Sequence, residues 1–439
     1  MKIVAIVFVL GIVGIISLIV FQVFYYNVIT RLYHAGIRIA AFIQPKAKLW
    51  VAGRKNIFGK IKQEFVRDNS KVVWFHCASL GEFEQGRPVM EQLKKEYPNI
   101  KIVLSFYSPS GYEVRKNFEG ADYVTYLPED TASNAQQFIQ LIQPDLVVFV
   151  KYEFWYHYLN TLATKKIPTV LISAIFRKNQ LFFKWYGRLH KSMLKKFTQI
   201  FVQNENSLQL LQSIKIQHVA IGFDTRYDRV FEVAQHVKQY PEIATFTANH
   251  NVIVAGSTWA KDEKLLAEAF YKKLVYVNFK IIVVPHNIDK KSISKTKKRF
   301  KKYALVYSEL HKATEADLIG KRVLIVDTIG ILNALYQYAD VNYIGGGFNK
   351  GIHNTLEAAV YGKPILFGKK YKKFDEAVGL VNVNAALVIR DADELLNRIN
   401  LMNQFQFIYT GAGSDAEKFI QSHLGGTTTV MQYLAQILK

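Results

Sequence analysis

The chain has 439 residues, of which 50% are hydrophobic, 21% charged and 14% aromatic. This composition predicts two core-forming domains and argues against long disorder, a collagen-like chain or a small disulfide-stapled protein. The single cysteine, Cys77, cannot form an internal disulfide or a cysteine-based zinc site. The 57 Lys and Arg against 35 Asp and Glu give a formal net charge of +22. That surplus indicates an anionic partner, either nucleic acid, phospholipid or a phosphorylated substrate.

The N-terminus carries an apolar stretch from Ile3 to Phe21 without a charged residue. At about 1.5 Å per residue, a helix of this length crosses roughly 30 Å of hydrocarbon, and Tyr25 and Tyr26 suit the membrane interface. Basic residues follow the stretch far more than they precede it. The positive-inside rule therefore predicts a single-pass anchor with the body of the protein in the cytoplasm. A cleaved signal peptide and a monotopic hairpin or interfacial helix stay open as alternatives.

Beyond the anchor, short apolar runs alternate with helical stretches at spacings typical of βαβ units. Five predicted strands come first, at residues 72–76, 101–107, 146–150, 169–173 and 200–203. Five more follow, at residues 252–256, 280–285, 323–327, 341–346 and 363–368. Two such series predict two α/β domains with parallel sheets and a boundary near Gly222 to Tyr240. Ligands are expected in a cleft at the carboxyl ends of the strands.

The first predicted strand runs into the segment CASLGEFE at residues 77–84. Glu82 opens the following helix, so its carboxylate would face the cleft, while Ser79 and Gly81 can help to present N–H groups to an oxyanion. The alternative is that Glu82 is an ordinary first-turn acid of a helix. His76 and Cys77 lie where core residues normally lie, and we interpret both as structural.

A second carboxylate, Glu153, directly follows the predicted strand at residues 146–150. In the second domain, the strand at residues 341–346 runs into the glycine-rich segment GGGFNKGIHN and a predicted helix over residues 355–359. Glycines let the backbone approach a ligand, and a helix N-terminus near Asn354 attracts phosphate. Glu357 can accept hydrogen bonds from ribose hydroxyls. The sequence has no GxxxxGK[ST] and no early GxGxxG motif, so this pattern suits a nucleotide-sugar donor.

Six segments, in order along the chain, together resemble those of one enzyme family. They are WFHCASLGE (74–82), YEFW (152–155), GFDTRYDRV (222–230), GST (256–258), DTIG (327–330) and GGGFNKGIHNTLEAA (345–359). The family is 3-deoxy-D-manno-octulosonic acid (Kdo) transferase, glycosyltransferase family 30, and the resemblance runs from about Lys48 to the C-terminus. It implies a GT-B fold with two Rossmann-like domains facing a cleft. The implied parts are an anchor (1–30), an acceptor domain (31–225), a donor domain (226–414) and a C-terminal helix (415–439) packing back on the first domain.

The resemblance also implies an activity and a set of site residues. The activity is inverting transfer of Kdo from CMP-Kdo to the lipid A precursor, lipid IVA, in lipopolysaccharide synthesis at the bacterial inner membrane. Glu82 takes the place of the general base, Glu153 organises the acceptor site and Arg226 stabilises phosphate charge. The implied CMP-binding residues are Ser257, Thr258, Pro285, His286, Gly346, His353, Asn354 and Glu357. No cofactor or metal is expected, since no Asp-x-Asp follows a predicted donor-site strand. The family often has Arg where this chain has His286, and the sequence does not identify what replaces it.

Many of the surplus basic residues lie in two stretches of the sequence. Residues 180–197 interleave aromatic residues with cations along one predicted helical stretch. That pattern suits an anionic bilayer and lipid phosphates, or equally a packed helix with a solvated basic face. The run at residues 290–302 is interpreted as a solvated face, with attraction to phospholipid as the alternative. A nucleic-acid-binding protein fits the whole pattern poorly. The nearer alternatives are another membrane-associated GT-B enzyme that uses a UDP-sugar, and a nucleotide-sugar epimerase.

Overall fold

The computed structural model describes the backbone of residues 2–310, 318–404 and 406–439. Side chains are described from residue 21 onward, apart from those of residues 311–317 and 402–409. The fold is α/β, as predicted, and the chain divides into two compact units. The first unit comprises Met1–Asp228 and Gly425–Lys439, and the second comprises Arg229–Leu424.

The first unit is built on a seven-stranded sheet in the order β3-β2-β1-β4-β5-β6-β7, with every neighbouring pair parallel. Its strands are β1 (Val72–Cys77), β2 (Lys101–Phe106), β3 (Tyr123–Tyr126), β4 (Leu146–Val150), β5 (Thr169–Ala174), β6 (Gln199–Val202) and β7 (Val219–Ile221). Alternate residues of a strand point to opposite faces. Accordingly, Trp74 of β1 packs into one apolar cluster, and Val73 and Phe75 pack into another. Both faces of this sheet are therefore buried, which explains why its central strands are continuous apolar runs.

Helices cover both faces of the first sheet. They are α1 (Lys2–Ala40), α2 (Pro45–Arg54), α3 (Ile57–Glu64), α4 (Leu80–Glu96), α5 (Pro109–Arg115), α6 (Ala132–Ile142), α7 (Tyr156–Thr164), α8 (Arg188–Leu194) and α9 (Glu205–Ser213), with a 3-10 turn at Leu181–Phe183. The unit also holds the start of α10 (Arg226–Gln235) and a C-terminal helix (Gly426–Leu438). This last helix places Val430 and Leu434, both fully buried, in the same apolar cluster as Phe75.

The second unit repeats the plan with the strand order β10-β11-β9-β8-β12-β13-β14, again with every pair parallel. Its strands are β8 (Asn251–Thr258), β9 (Phe279–Pro285), β10 (Ala304–Val306), β11 (Val323–Ile325), β12 (Val341–Ile344), β13 (Ile365–Gly368) and β14 (Ala386–Ile389). Its helices are α11 (Pro241–Thr247), α12 (Ala260–Lys272), α13 (Lys290–Phe300), α14 (Tyr307–Leu310), α15 (Leu332–Leu335), α16 (Leu356–Ala359), α17 (Asp375–Asn382), α18 (Ala392–Gln404) and α19 (Gln406–Gln421), with 3-10 turns at Leu274–Tyr276, Lys301–Tyr303 and Tyr336–Tyr338. The C-terminal helix of the first unit is thus α20.

Every predicted strand is present, with ends within two residues of the predicted ones. The strands that the sequence analysis missed are β3, β7, β10 and β14, which are the edge strands of the two sheets. Each is three or four residues long. An edge strand pairs on one side only, so it needs a shorter apolar run than a central strand, and such a run gives a weak signal in the sequence.

In both sheets the strand order reverses at one point, between β1 and β4 in the first unit and between β8 and β12 in the second. Open parallel sheets bind ligands at the carboxyl ends of the strands at this switch point. Glu82 and Glu153 follow β1 and β4. Thr258 ends β8, and residues 345–347 follow β12. Glu82, Glu153, Thr258 and Gly346 thus lie at the switch points of their own units.

The predicted C-terminal helix at residues 415–439 is in fact two helices in different units. Helix α19 belongs to the second unit and ends at Gln421. The helical path is interrupted before the next helix, where Gly425 has a φ of +96°. The Asp228 carboxylate accepts hydrogen bonds from the Gly425 and Thr427 N–H groups at 2.7 and 2.6 Å. These bonds fix the start of α20, so only residues 426–438 pack on the first unit as predicted.

The predicted single helical stretch at residues 180–197 is also divided. The 3-10 turn at Leu181–Phe183 is followed by a loop and then by α8. Gly187 lies in this loop against the backbone of Leu181, where an added Cβ would come within 1.7 Å of the carbonyl oxygen. This tight turn separates the aromatic part of the stretch from the basic part.

Among the residues that the structure describes, no helix has the length and hydropathy that a membrane span needs. Except for Phe21, the span predicted at Ile3 to Phe21 lies on residues whose side chains are outside that description.

Candidate active site

Glu82 lies in the first turn of α4, immediately after β1. Ser79 is the N-cap residue of this helix, and its backbone N–H donates a hydrogen bond to Glu82 Oε2 at 3.1 Å. Such a reciprocal capping box satisfies free N–H groups of the helix start. The first-turn role that we considered as the alternative is therefore real. The Glu82 carboxylate can still accept other hydrogen bonds, because it has more lone pairs than the capping bond uses.

The Glu82 carboxyl is 8% exposed, and its pKa is raised to about 8. Burial is the main cause, and the negative charge of Glu153 adds to it. Hydrogen bonds at Ala78 and Ser79 and the positive charge of Lys151 lower the pKa but do not offset these effects. A carboxyl group with a pKa near neutrality can take up a proton at working pH and release it again, which is the property a general base needs.

Glu153 is held in a buried network that the sequence did not reveal. His76 Nε2 lies 2.7 Å from Glu153 Oε2, and the Trp155 indole N–H donates to the same oxygen at 2.5 Å. On the other side of the ring, His76 Nδ1 lies 2.8 Å from Ser105 Oγ, which also accepts from the Trp74 indole at 2.7 Å. His76 is fully buried and Glu153 is 5% exposed. The network fixes one carboxylate beside Glu82, so the two acids of the first switch point influence each other.

Our interpretation of His76 as a core residue is right about its burial but missed its contact with Glu153. Cys77, interpreted in the same way, is fully buried, and burial raises the pKa of its thiol well above the usual value. A thiol in that environment stays protonated and unreactive.

Arg226 lies in the first unit, close to its boundary at Asp228. Its guanidinium bonds both carboxylate oxygens of Asp224: Nε lies 3.1 Å from each of them, and Nη2 lies 2.7 Å from Oδ2. Asp224 also accepts from the Gln85 amide of α4 at 2.7 Å. Burial raises the pKa of Asp224, but Arg226 and Lys151 outweigh that effect and leave the pKa lowered. Arg226 therefore neutralises a buried carboxylate beside α4, and its role in stabilising phosphate charge stays a prediction.

The glycine-rich loop after β12 packs against protein backbone. An added Cβ on Gly345 would come within 2.3 Å of the Ser257 carbonyl oxygen, and one on Gly347 within 2.5 Å of the Gly368 nitrogen. Gly346 has φ of +92°, and its N–H donates to Asp262 at 2.9 Å. The glycines thus allow close approach to the ends of β8 and β13, and the approach of this loop to a ligand stays a prediction. They fix the positions of the side chains around them.

The predicted helix after this loop is a single turn, α16, in which Asn354 and Glu357 are tied together. The Asn354 amide donates to Glu357 Oε1 at 2.9 Å, and its oxygen accepts from the Leu356 N–H at 3.0 Å. A four-residue helix has a small dipole, so the phosphate attraction that we predicted from it is correspondingly weak. Asn354 and Glu357 lie together near the switch point, and each already has one protein partner.

Three rings stack at the second switch point. Trp259 lies over His286 with ring centroids 4.3 Å apart, and His286 lies over His353 at 4.8 Å. The Trp259 indole N–H donates to His353 Nε2 at 3.0 Å. Burial lowers the pKa of both histidines, and for His353 the neighbouring His286 adds to the effect. Both rings are therefore largely neutral at pH 7. The sequence analysis named the two histidines but missed Trp259, although this large aromatic residue directly follows Thr258.

A cavity of about 140 Å³ lies beside this stack. It is lined by Thr258 and Pro285, which we predicted as donor residues, and by Lys295 and Arg299 of α13. Ser257 stands just before it at a φ of +53°. The cations favour an anionic group in this cavity. Lys295 and Arg299 come from the run at residues 290–302, so that run is not only a solvated face: Arg299 also pairs with Glu263 at 2.6 Å.

Each unit alone has the parallel sheet and the polar switch point of a Rossmann-like domain, and two such units in one chain are consistent with a GT-B fold. One solved structure with this fold is UDP-GlcNAc 2-epimerase from Neisseria meningitidis bound to UDP-GlcNAc. It matches with a TM-score of 0.58 at 16% identity, over 83% of this chain and all of that one. At that identity the likeness concerns the fold alone.

The sequence comparisons are more specific. Residues 53–229 match the family model of 3-deoxy-D-manno-octulosonic-acid transferase (kdotransferase), a range that includes Glu82, Glu153 and Arg226. The 3-deoxy-D-manno-octulosonic acid transferase of Rickettsia prowazekii is 27% identical over 76% of this chain and 72% of its own length. That of Aquifex aeolicus is 26% identical over 78% of this chain and 90% of its own length. Over about three quarters of its length, the chain is therefore similar in sequence to Kdo transferases.

Proposed function

We propose that the chain transfers Kdo from CMP-Kdo to the lipid A precursor, lipid IVA, with inversion at the anomeric carbon, as a step of lipopolysaccharide synthesis. The homologues are named for Kdo transfer, and their family model covers both acids of the first switch point. The observation that carries the proposal is Glu82, a buried carboxyl with a pKa of about 8 beside a second buried acid.

In the proposed reaction, Glu82 in its ionised form accepts the proton of an acceptor hydroxyl. The hydroxyl oxygen then bonds to the anomeric carbon of Kdo, while the bond from that carbon to the phosphate oxygen breaks and CMP leaves with its electron pair. Attack opposite the leaving group inverts the centre. General-base assistance of this kind contributes typically ~10²–10⁴ in rate. Glu153, fixed by His76 and Trp155, would accept hydrogen bonds from other acceptor hydroxyls.

The second unit would hold the donor. The exposed edge of the Trp259, His286 and His353 stack suits the cytosine ring, because aromatic faces stack well. Lys295 and Arg299 would offset the charge on the departing CMP, as preorganised cations do. We propose that these groups replace a metal ion. Turnover should therefore survive treatment with EDTA, and its loss followed by rescue with Mg²⁺ would contradict this part.

We propose that the chain acts at the cytoplasmic face of the bacterial inner membrane, anchored by the apolar stretch at its N-terminus. Support comes from the hydropathy of that stretch and the basic residues that follow it. Carbonate extraction of membranes tests this, because a spanning protein stays in the pellet and a peripheral one is released.

The function itself is tested by product mass. The full-length protein, incubated with CMP-Kdo and tetraacylated lipid A precursor, should yield the precursor extended by Kdo. In parallel, CMP should raise the thermal unfolding temperature more than UDP does. Preferential stabilisation by UDP without any Kdo product would instead indicate a UDP-sugar enzyme or an epimerase.

A further inference from the structure

The first unit contains a cavity of about 440 Å³ between the described part of α1 and the segment at residues 181–190. Its volume lies within the ~300–1,000 Å³ range of ligand pockets. The lining is largely apolar and includes Tyr25, Tyr26, Ile29, Leu181 and Leu189. Tyr25, Ile29 and Leu181 are 58%, 48% and 43% exposed, so the cavity opens to the surface.

The helix wall of this cavity is fixed by polar contacts. The Gln22 amide donates to the Tyr186 carbonyl oxygen at 2.9 Å and accepts from the Leu189 N–H at 2.8 Å. Further along α1, the Tyr26 hydroxyl donates to the buried Asp130 at 2.6 Å. Gln22 thus joins the two walls at one end, whereas Tyr26 ties α1 to the segment after β3. The apolar space between the walls is left unfilled.

Both walls lead to the acceptor-site acid. The Tyr26 ring packs on that of Tyr156, with centroids 5.8 Å apart, next to the Trp155 that bonds Glu153. On the other wall, Gln180 accepts from the Arg177 N–H at 2.9 Å, and the Arg177 guanidinium lies 3.4 Å from the hydroxyl of Tyr152. An apolar ligand in the cavity would therefore have its polar end on the side of Glu153.

Both walls of the cavity carry positive charge close in sequence to lining residues. Lys184 and Arg188 lie between lining residues of the 181–190 segment, Arg31 follows the lining residue Thr30 of α1, and all three cations are exposed. Exposed cations beside an apolar cavity suit an amphiphile that has an anionic head and a hydrocarbon chain.

We propose that this cavity binds one acyl chain of the phosphorylated glycolipid acceptor and so positions its sugar at Glu153 and Glu82. The inference rests on the proposed function and adds a binding site to it. The occupant is an acceptor chain rather than a bulk phospholipid chain, because both walls connect to the acid that would hold the acceptor's hydroxyls.

The first test fills the cavity by replacing Ile29 with Trp. Transfer to tetraacylated precursor should show a KM raised about tenfold, the loss expected when roughly two methylenes are kept from burial. Transfer to the deacylated phosphorylated sugar should change less than twofold. The matched control is Leu32→Trp, on the same helix, 67% exposed and outside the lining. Equal losses in the two variants, or an unchanged KM in Ile29→Trp, would overturn the proposal.

The second test reads binding without turnover. Full-length protein in vesicles is mixed with a precursor that carries a diazirine at the end of one acyl chain, and is then irradiated. Label should map to residues 22–30 and 181–190 and should fall in Ile29→Trp but not when excess phosphatidylglycerol competes. Label elsewhere, or displacement by phosphatidylglycerol, rejects the acceptor-chain site. Failure of the proposed function gives a different result, namely no Kdo product from either acceptor.

Discussion

The two switch points have the same topology and opposite chemistry. In the first unit, the ends of β1 and β4 carry two buried acids, and a buried histidine bonds one of them. In the second, the ends of β8 and β12 carry glycines packed on backbone, and three stacked rings lie beside them. The first arrangement raises the pKa of a carboxyl, whereas the second builds a neutral aromatic surface. The same sheet topology would thus serve proton transfer in one unit and ligand stacking in the other.

Glu82→Gln should have the largest effect, because it removes the proton-accepting group of the first switch point. Glutamine keeps the size of the side chain and can still complete a capping box, but it cannot accept the proton. We expect kcat for Kdo transfer to fall by ~10²–10⁴, with the unfolding temperature unchanged. Near wild-type turnover in this variant would remove Glu82 from the chemistry and leave it the capping role alone.

Arg226→Ala tests whether that residue serves stability or donor binding. Without the guanidinium, Asp224 is a buried carboxylate that has lost its bidentate partner, so the free energy of unfolding should fall by about 3 kcal/mol. The KM for CMP-Kdo should stay within twofold. Arg229→Ala is the control, since Arg229 forms a more exposed pair with Glu232 at 3.4 Å and should change stability by less than about 0.5 kcal/mol. Unchanged stability with a greatly raised donor KM would return Arg226 to the donor site.

The pH dependence sharpens the description of the first switch point. Glu82 acts as a base only when ionised, and its pKa is about 8. Below that value kcat/KM should fall, by roughly 50-fold between pH 8 and pH 6. The Glu153 charge raises the pKa of Glu82. Glu153→Gln should therefore move this limb of the profile to lower pH, whatever it does to the maximum rate. A profile that is flat from pH 6 to 8, or a shift to higher pH, would contradict the coupling.

At the second switch point, Gly347→Ala tests whether the glycines serve packing. The added Cβ would meet the backbone of Gly368, and we expect a loss of about 1–3 kcal/mol in the free energy of unfolding. Gly411→Ala is the control, because an added Cβ there meets open space. Replacing this helical glycine with alanine should raise the free energy of unfolding by about 0.5–1 kcal/mol. If Gly347→Ala kept full stability and lost only CMP binding, the loop would approach the ligand after all.

Trp259→Ala should give the smallest effect. Loss of the stacked ring should raise the KM for CMP-Kdo by about 2- to 10-fold, as expected for ~0.5–1.5 kcal/mol of aromatic stacking. The value of kcat should change little. Tyr276→Ala, which removes an aromatic ring that is 82% exposed in the same unit, should leave both constants unchanged. An unaltered donor KM in Trp259→Ala would exclude the stack from donor binding.

The sequence predicted the central strands and the acids that follow them because these are local patterns. An apolar run ends, and a carboxylate comes next, so Glu82 and Glu153 could be placed at strand ends without coordinates. The edge strands were not predicted, because three or four residues are too few to show a clear apolar pattern.

Other features depend on register and tertiary packing. His76 bonds Glu153 because β1 and β4 pair with His76 opposite Phe149, and no local pattern reveals that pairing. The packing of the glycines after β12 could not be predicted, because the backbone that they touch comes from distant strands. The pairing of Arg226 with Asp224 could not be predicted either, since the sequence does not reveal that Asp224 is buried.

Helix α20 has a consequence for how the protein is made. Its residues are translated after the whole of the second unit, yet they fill the core beneath β1, which precedes that unit in the chain. At ~5–20 residues per second, the part of the chain after residue 228 takes roughly 10–40 s to translate. During that interval the nascent first unit lacks α20, so the apolar cluster that this helix covers is accessible to chaperones. The core of the first unit is therefore completed only after the second unit has been synthesised.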